Sequence, residues 1–111
     1  MTNHRKHRGY ASQRMVADFL KENGYEYATS AGAGSQGTDI INIKNVDFEV
    51  KARRGFPIAE AMKQLKERSK DDHLGVAILR LDGTGSKTIE QWPAILTFGA
   101  LVELLKKAGY R

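Results

Sequence analysis

The segment from Val46 to Arg53 alternates apolar and charged residues without interruption. Because successive side chains of a β-strand point to opposite faces, this pattern predicts a half-buried strand. One face carries the apolar residues Val46, Phe48, Val50 and Ala52, and the other the charged residues Asp47, Glu49, Lys51 and Arg53. A half-buried strand needs neighbouring strands, so the chain must contain a sheet.

A turn at 44–45 precedes this strand, and the apolar run 40–43 before the turn predicts its antiparallel partner. Pairing across the turn brings Asp39 near the level of Glu49 and Lys51. Two carboxylates at one sheet edge suit Mg²⁺, which proteins hold with one or two carboxylates and waters. A lysine beside the ion can stabilise a developing oxyanion or help activate water on a phosphodiester. The alternative is a charged face that is simply solvated, as in many antiparallel sheets.

The composition favours a nucleic-acid partner. The 111 residues fit one domain, and 18 Lys plus Arg against 13 Asp plus Glu give a net charge of +5. The absence of cysteine excludes disulfides and thiolate metal sites and fits a reducing compartment. No apolar run approaches the roughly 20 residues that span a bilayer, and no apolar segment follows the basic N-terminus as in a signal peptide. We therefore expect no membrane partner and an intracellular protein, cytoplasmic or nucleoid-associated, of cellular or phage origin.

The chain divides into a basic flexible arm, residues 1–9, and one domain, residues 10–111. The arm lacks an apolar anchor, and Arg5, Lys6 and Arg8 could contact DNA phosphates with an affinity that falls with salt. The alternative is a solvated tail.

The remaining patterns predict a single α/β domain whose central, mixed and mostly antiparallel twisted sheet is flanked by helices. The order is α-β-β-β-α-β-β-α. Predicted helices are 10–23, 58–70 and a last one between Thr97 and Gly109, and the strands are 25–29, 40–43, the alternating segment, 74–81 and 87–92.

A loop of small residues, 30–37, leads to Asp39. It lacks the lysine of a P-loop and precedes a strand rather than a helix, so we expect no nucleotide cofactor. The loop, with Ser35, could grip a nucleic-acid backbone, or it could be a plain connector. Additional predicted DNA contacts are Lys44 and the guanidinium groups of Arg53 and Arg54, whose donor forks match phosphate.

This arrangement resembles the PD-(D/E)XK nuclease superfamily, and within it the small archaeal-type Holliday-junction resolvases and their phage relatives. The resemblance covers most of the chain, from Arg8-Gly9 to the final helix. The motifs that carry it are Gly9-x-x-x-Gln13-Arg14, the Gly-Ser loop, Gly37-Thr38-Asp39, Phe48-Glu49-Val50-Lys51 and Gln64.

The resemblance implies that Asp39 and Glu49 bind Mg²⁺, or Mn²⁺ in its place, with the Val50 carbonyl completing the site. It further implies that Lys51 positions the attacking water and stabilises charge in the transition state, with Gln64 in a supporting role.

Two residues depart from the family pattern. Gln13 stands where the family often carries Glu, which removes one carboxylate from the site. Thr38 stands where Pro is usual, at a position with no required chemistry.

The resemblance thus implies a Mg²⁺-dependent endodeoxyribonuclease that resolves four-way junctions. Paired cuts in a two-fold symmetric substrate call for a homodimer bound to branched or duplex DNA. The alternatives are a nuclease of the same fold acting on flap, nicked or single-stranded DNA, and a DNA-binding module in which Gln13 marks a decayed site. An RNA-directed protein has less support, because no aromatic pair is interleaved with basic residues.

Overall fold

The computed structural model describes residues 4–32, 37–52, 58–69 and 72–110, with residues 4–8 described by their helical backbone. The coarse α/β class is confirmed within these ranges, and the helices and strands follow the predicted order except that a 3-10 helix takes the place of the strand predicted at 87–92 and a short strand follows it. The elements are α1 His4–Glu22, β1 Thr29–Ser30, β2 Ile40–Ile41, β3 Val46–Lys51, α2 Ile58–Arg68, β4 Leu74–Leu79, the 3-10 helix Ser86–Gln91, β5 Ala94–Ile95 and α3 Phe98–Lys107.

Within the described ranges, the strands form two small sheets rather than the one predicted central sheet, and the predicted antiparallel ladder between 40–43 and the alternating strand is absent. Strands β1 and β2 pair antiparallel, while β4 lies between β3 and β5. The β3–β4 ladder is parallel over six residue pairs, from Val46 with Leu74 to Lys51 with Leu79, and β5 joins β4 antiparallel. The sheet is mixed as predicted, but its longest ladder is parallel, because α2 forms a crossover between β3 and β4.

The core lies between α1 and the strands. Its buried members are Val16, Ala17, Ala28, Ile40, Phe48, Val50, Val76 and Trp92. Helix α1 packs against β1 and β3, which confirms the apolar face predicted for β3.

The N-terminal boundaries differ from the predicted ones. Helix α1 begins at His4 rather than at residue 10, so part of the predicted arm has a helical backbone, and residues 1–3 lie outside the described ranges. Gly24, at φ 102°, ends this helix. A turn follows, in which the Ala28 N–H donates to the Tyr25 carbonyl at 3.0 Å, so β1 begins only at Thr29.

The predicted strand 87–92 is wrong. Residues 86–91 form a 3-10 helix, in which the Thr88 N–H donates to the Gly85 carbonyl at 3.1 Å. Pro93 follows this helix and precedes a strand: its carbonyl accepts from the Leu79 N–H at 3.0 Å, and β5 begins at the next residue. A proline lacks an N–H and is therefore tolerated where a strand begins.

Helix α3 begins and ends as predicted. The Thr97 side chain caps it by accepting from the Ala100 N–H at 3.1 Å, and Gly109, at φ 87°, terminates it. No residue of this helix is buried, and Phe98 is 79% exposed. Within the described ranges, no helix has the length and apolar character needed to cross a membrane.

Candidate active site

Asp39 is fixed to β3 by side-chain and backbone hydrogen bonds. The Asp39 N–H donates to the Phe48 carbonyl at 2.8 Å, and its Oδ2 accepts from the Val50 N–H at 2.7 Å. Thr38 bonds to the same edge of β3, because its Oγ1 accepts a hydrogen bond from the Phe48 N–H at 2.8 Å. Thr38 therefore has a structural role: it satisfies an N–H of β3 that β2 does not reach.

The turn before β3 has the geometry that this pairing needs. Asn42 and Asn45 adopt φ of 70° and 65°, in the left-handed region that asparagine tolerates better than most residues. The prediction that Asp39 lies at the level of Glu49 and Lys51 is confirmed, because Asp39 bonds to Val50, which stands between them.

The charged face of β3 is buried rather than solvated. Asp47 and Glu49 are each only 6% exposed. Glu49 Oε1 lies 3.1 Å from Lys51 Nζ, and its Oε2 lies 2.9 Å from Arg68 Nη1. Both Glu49 oxygens are thus paired with cations, and the solvated alternative is wrong for these two carboxylates.

Arg68, at the end of α2, organises this face. Its Nε donates to Asp47 Oδ2 at 3.1 Å and its Nη2 to Asp47 Oδ1 at 2.5 Å, a bidentate pair. Ser69 Oγ adds a third bond to Asp47 at 3.0 Å. Burial would lower the pKa of Arg68, but its hydrogen bonds to Asp47 and Glu49 outweigh burial and raise it.

Burial raises the pKa of Asp39 from 3.8 to about 6. The Val50 N–H opposes this shift, and the nearby Glu49 carboxylate adds to it, while Arg68 and Lys51 offset part of the increase. A carboxyl group with such a pKa is poised to lose its proton near neutrality, especially when a cation is present to bind it.

Asp39 Oδ1 and the Val50 carbonyl are the oxygen atoms at this edge that could take part in holding a hard divalent cation. Among the described residues, Asp39 Oδ1 accepts no hydrogen bond. The Val50 carbonyl points to the same strand edge as the Phe48 carbonyl, because carbonyls two residues apart on a strand share a direction. In the described chain, no group of three or more Asp, Glu, His or Cys side chains is placed to hold a metal ion, so this site could offer at most two carboxylates and one carbonyl.

The two predicted glutamines differ in their surroundings. Gln13 lies three and four residues before the buried Val16 and Ala17, and its Oε1 is buried without a hydrogen-bond partner among the described residues. Gln64 is exposed on α2, one turn before Arg68, and its side chain makes no hydrogen bond within the described chain. The structure therefore does not bring Gln64 into contact with the carboxylates.

The predicted DNA contacts are not all placed. Lys44 is exposed in the turn before β3. The side chains of Arg5, Lys6 and Arg8 are not described, although their backbone lies in α1. Ser35, Arg53 and Arg54 lie outside the described residues.

Sequence reasoning missed Arg68, although the sequence contains a signal for it. Arg68 lies three and seven residues after the buried Leu65 and Ala61, so a charged residue occupies the apolar stripe of α2. Such a position predicts a buried ionic partner.

Comparisons with protein-family models, with curated proteins and with solved structures found no match.

Proposed function

We propose that this protein is a divalent-metal-dependent endodeoxyribonuclease that acts on branched DNA, with the four-way junction as its preferred substrate. The observation that carries the proposal is the partly buried Asp39 carboxylate, with its raised pKa, fixed beside Glu49 and Lys51 at one edge of β3. Carboxylates held together at a cost in stability call for a functional reason.

The arrangement of elements supports a restriction-endonuclease-like core. Helix α1 precedes three strands, α2 then crosses over, and β4 lies parallel to β3. In this scheme Asp39 comes from the edge of β2 and the Glu49-x-Lys51 motif from β3, as the resemblance to PD-(D/E)XK nucleases implies.

The charge balance explains why a cation would be needed. Asp39, Asp47 and Glu49 carry three negative charges when ionised, and Lys51 and Arg68 carry two positive charges. Counted over the described residues alone, the cluster then has one excess negative charge, which disfavours a phosphate. A bound divalent cation would reverse that sign, so binding of a phosphodiester would become favourable.

Each residue has a distinct role in the proposed reaction. Asp39 and Glu49, with the Val50 carbonyl, would hold Mg²⁺ or Mn²⁺, which supplies Lewis acidity and a lower pKa for water. Lys51 Nζ, beside Glu49, would orient the attacking water and stabilise charge on the phosphate. Arg68 is a positioning residue, because it fixes Glu49 from the side opposite Lys51.

The net charge of +5 and a pI near 9.6 support a DNA partner read through its backbone. Lys44 and the basic residues of the N-terminal segment and of 53–54 would contact phosphates. A homodimer would place two such sites on the two strands of a symmetric junction.

A DNA-binding module without catalysis is the second candidate function. The observation in its favour is that both Glu49 oxygens are already paired with cations and that Gln13 replaces an acidic residue. In this case a metal would have to compete with Lys51 and Arg68 for Glu49.

Cleavage of a labelled four-way junction tests the proposal. A linear duplex with the same arm sequences serves as the matched substrate, and Mg²⁺, Mn²⁺ and EDTA are compared. We expect paired nicks on the junction with either metal, none with EDTA, and none with Asp39→Asn. Asp18→Asn, at an exposed position on α1, is the matched control and should cleave normally.

Two results would contradict parts of the proposal. Tight junction binding without cleavage under either metal would exclude the enzyme and favour the binding module. Faster cleavage of a flap, a nicked duplex or single-stranded DNA than of the junction would retain the nuclease but replace its substrate.

A further inference from the structure

Helix α3 and the residues after it expose a cluster of large side chains. Phe98 is 79% exposed, Leu101, Leu104 and Leu105 are between 36% and 41% exposed, and Tyr110 is 70% exposed. With ordinary side-chain areas, they present about 500 Å² of largely apolar surface, comparable to the largest patches on monomeric proteins. Patches of this size commonly bind a partner.

A groove lies directly beside this patch. It has a volume of about 520 Å³ and runs between α2, the start of β4 and the start of α3. Its apolar walls include Met62, Leu65, Leu74 and Ala100. The volume is sufficient for an aromatic side chain from outside the chain.

We propose that a second copy of this chain covers the patch, with Phe98 of each copy entering the groove of the other. A two-fold interface requires one surface to carry both a projecting group and the cavity that receives it. Thr97 and Ala100 line the groove, so Phe98 lies at its border and both features belong to one surface.

The area of this surface fits a second copy. A standard interface buries about 800 Å² per partner, of which the exposed side chains of α3 would supply more than half. Charge does not add to the fit. Lys63 and Lys66 line the groove, and Glu103, the one acidic residue of α3, already lies 3.7 Å from Lys106 of its own helix. The apolar area therefore carries the argument for a second copy.

The groove also adjoins the charge cluster. Ser69 lines the groove and donates to Asp47, and the preceding residue, Arg68, holds Glu49. A partner's phenyl ring packed beside Ser69 would restrain the end of α2 that positions Glu49. This consequence rests on the proposed function, whereas the interface itself does not.

The mass of the intact protein in solution tests the interface without any cleavage assay. The chain has a mass of 12.4 kDa, so light scattering or equilibrium sedimentation should give twice that mass at micromolar concentrations. Phe98→Asp should raise the dissociation constant at least about thirtyfold, because it removes a central aromatic anchor. Leu81→Asp is the matched control: Leu81 is 48% exposed beyond the opposite end of β4 and should leave the dimer intact.

Three outcomes would overturn the interface. The first is a wild-type protein that stays monomeric up to about 100 μM, a concentration far above the dissociation constants of specific complexes. The others are a dimer that Phe98→Asp does not affect, and a monomer that binds phosphatidylglycerol vesicles through α3 instead. The circular dichroism of Phe98→Asp should match that of the wild type, since the side chain is largely exposed. A dimer that does not cleave DNA would refute the proposed function and leave the interface standing.

Disulfide trapping gives a second and more local test, because the native chain contains no cysteine. A mixture of Phe98→Cys and Lys66→Cys proteins should form a mixed disulfide much faster than a mixture of Phe98→Cys and Leu81→Cys. Equal rates for the two mixtures would contradict the predicted contact between Phe98 and the partner's groove.

Discussion

The charged face of β3 and the apolar face of α3 are opposite exceptions to the usual distribution of residues. Asp47 and Glu49 are charged and almost fully buried, whereas Phe98 and the leucines of α3 are apolar and exposed. Buried charges and large exposed apolar patches are the informative departures in a folded protein.

The two regions differ in how completely the chain satisfies its own groups. Arg68, Ser69 and Lys51 satisfy the two carboxylates of β3 internally. Asp39, which precedes β2, has a raised pKa because burial disfavours its charge. Helix α3 contributes no buried residue. Under the two proposals, a small cation completes the first region and a second copy of the chain completes the other.

The largest predicted effect is on the buried ion pairs. Arg68→Ala should lower the free energy of unfolding by about 3–5 kcal/mol, because it leaves Asp47 and Glu49 buried with fewer partners. Lys66→Ala removes an exposed cation from the same helix and should change stability by less than about 0.5 kcal/mol. Urea denaturation measures both, and equal small losses would show that the network is not a stabilising feature of the fold.

The second prediction concerns Asp39. Its carboxyl titrates near 3.8 when unfolded and near 6 when folded, so ionisation destabilises the native state as pH rises from about 4 to 6. Asp39→Asn should stabilise the protein above pH 6 by about 1–2 kcal/mol, with about 3 kcal/mol as the upper limit set by the shift. The gain should vanish near pH 3.5. Denaturation of both proteins between pH 3.5 and 8 measures it, and a gain independent of pH would contradict the assigned pKa.

A smaller effect is expected at Ser69. Ser69→Ala removes one hydrogen bond to Asp47 but leaves the bidentate Arg68 pair in place. We expect a loss of about 1 kcal/mol in the free energy of unfolding. Ser86→Ala, at an exposed position in the 3-10 helix, is the matched control. If Ser69→Ala lowered the free energy of unfolding as much as Arg68→Ala does, Ser69 would be the dominant support of Asp47.

The smallest effect should come from α3. In dilute solution, where the chain is monomeric, Phe98→Ala should change the free energy of unfolding by less than about 0.5 kcal/mol, because the side chain is 79% exposed. Thermal unfolding at submicromolar and at high concentration separates the monomer from the dimer. A loss above about 1.5 kcal/mol at the lowest concentration would show that Phe98 packs within its own chain.

Local patterns predicted much of this structure. The alternation in β3, the capping of α3 and the apolar stripe of α2 each depend on residues close in sequence, and all three elements form. The segment 87–92 was misread because its hydrogen bonds run from residue i+3 to residue i, which the mixed polar and apolar sequence does not reveal. The parallel direction of the β3–β4 ladder is not a local property, because it depends on α2 carrying the chain back to the end of the sheet at which β3 began.

The site was predicted in part. The prediction placed Asp39 beside Glu49 and Lys51 through an antiparallel ladder between 40–43 and β3. That ladder is wrong, since β2 pairs with β1, but the bonds of Asp39 to Phe48 and Val50 hold it at the predicted level. The pairing of Arg68 with Asp47 and Glu49 joins residues 21 and 19 positions apart, and sequence periodicity alone does not specify such a partner. Gln64 was assigned to the site, but on α2 the residue one turn later makes the contact.

Metal binding by the intact protein tests the central claim most directly. Mn²⁺ titrations followed by electron paramagnetic resonance should show one bound ion per chain for the wild type and for Asp18→Asn at pH 7.5. Asp39→Asn should bind at least about tenfold more weakly, because it removes one of two carboxylate ligands. Equal Mn²⁺ affinity for all three proteins would contradict a metal site at Asp39 and Glu49, whatever DNA the protein binds.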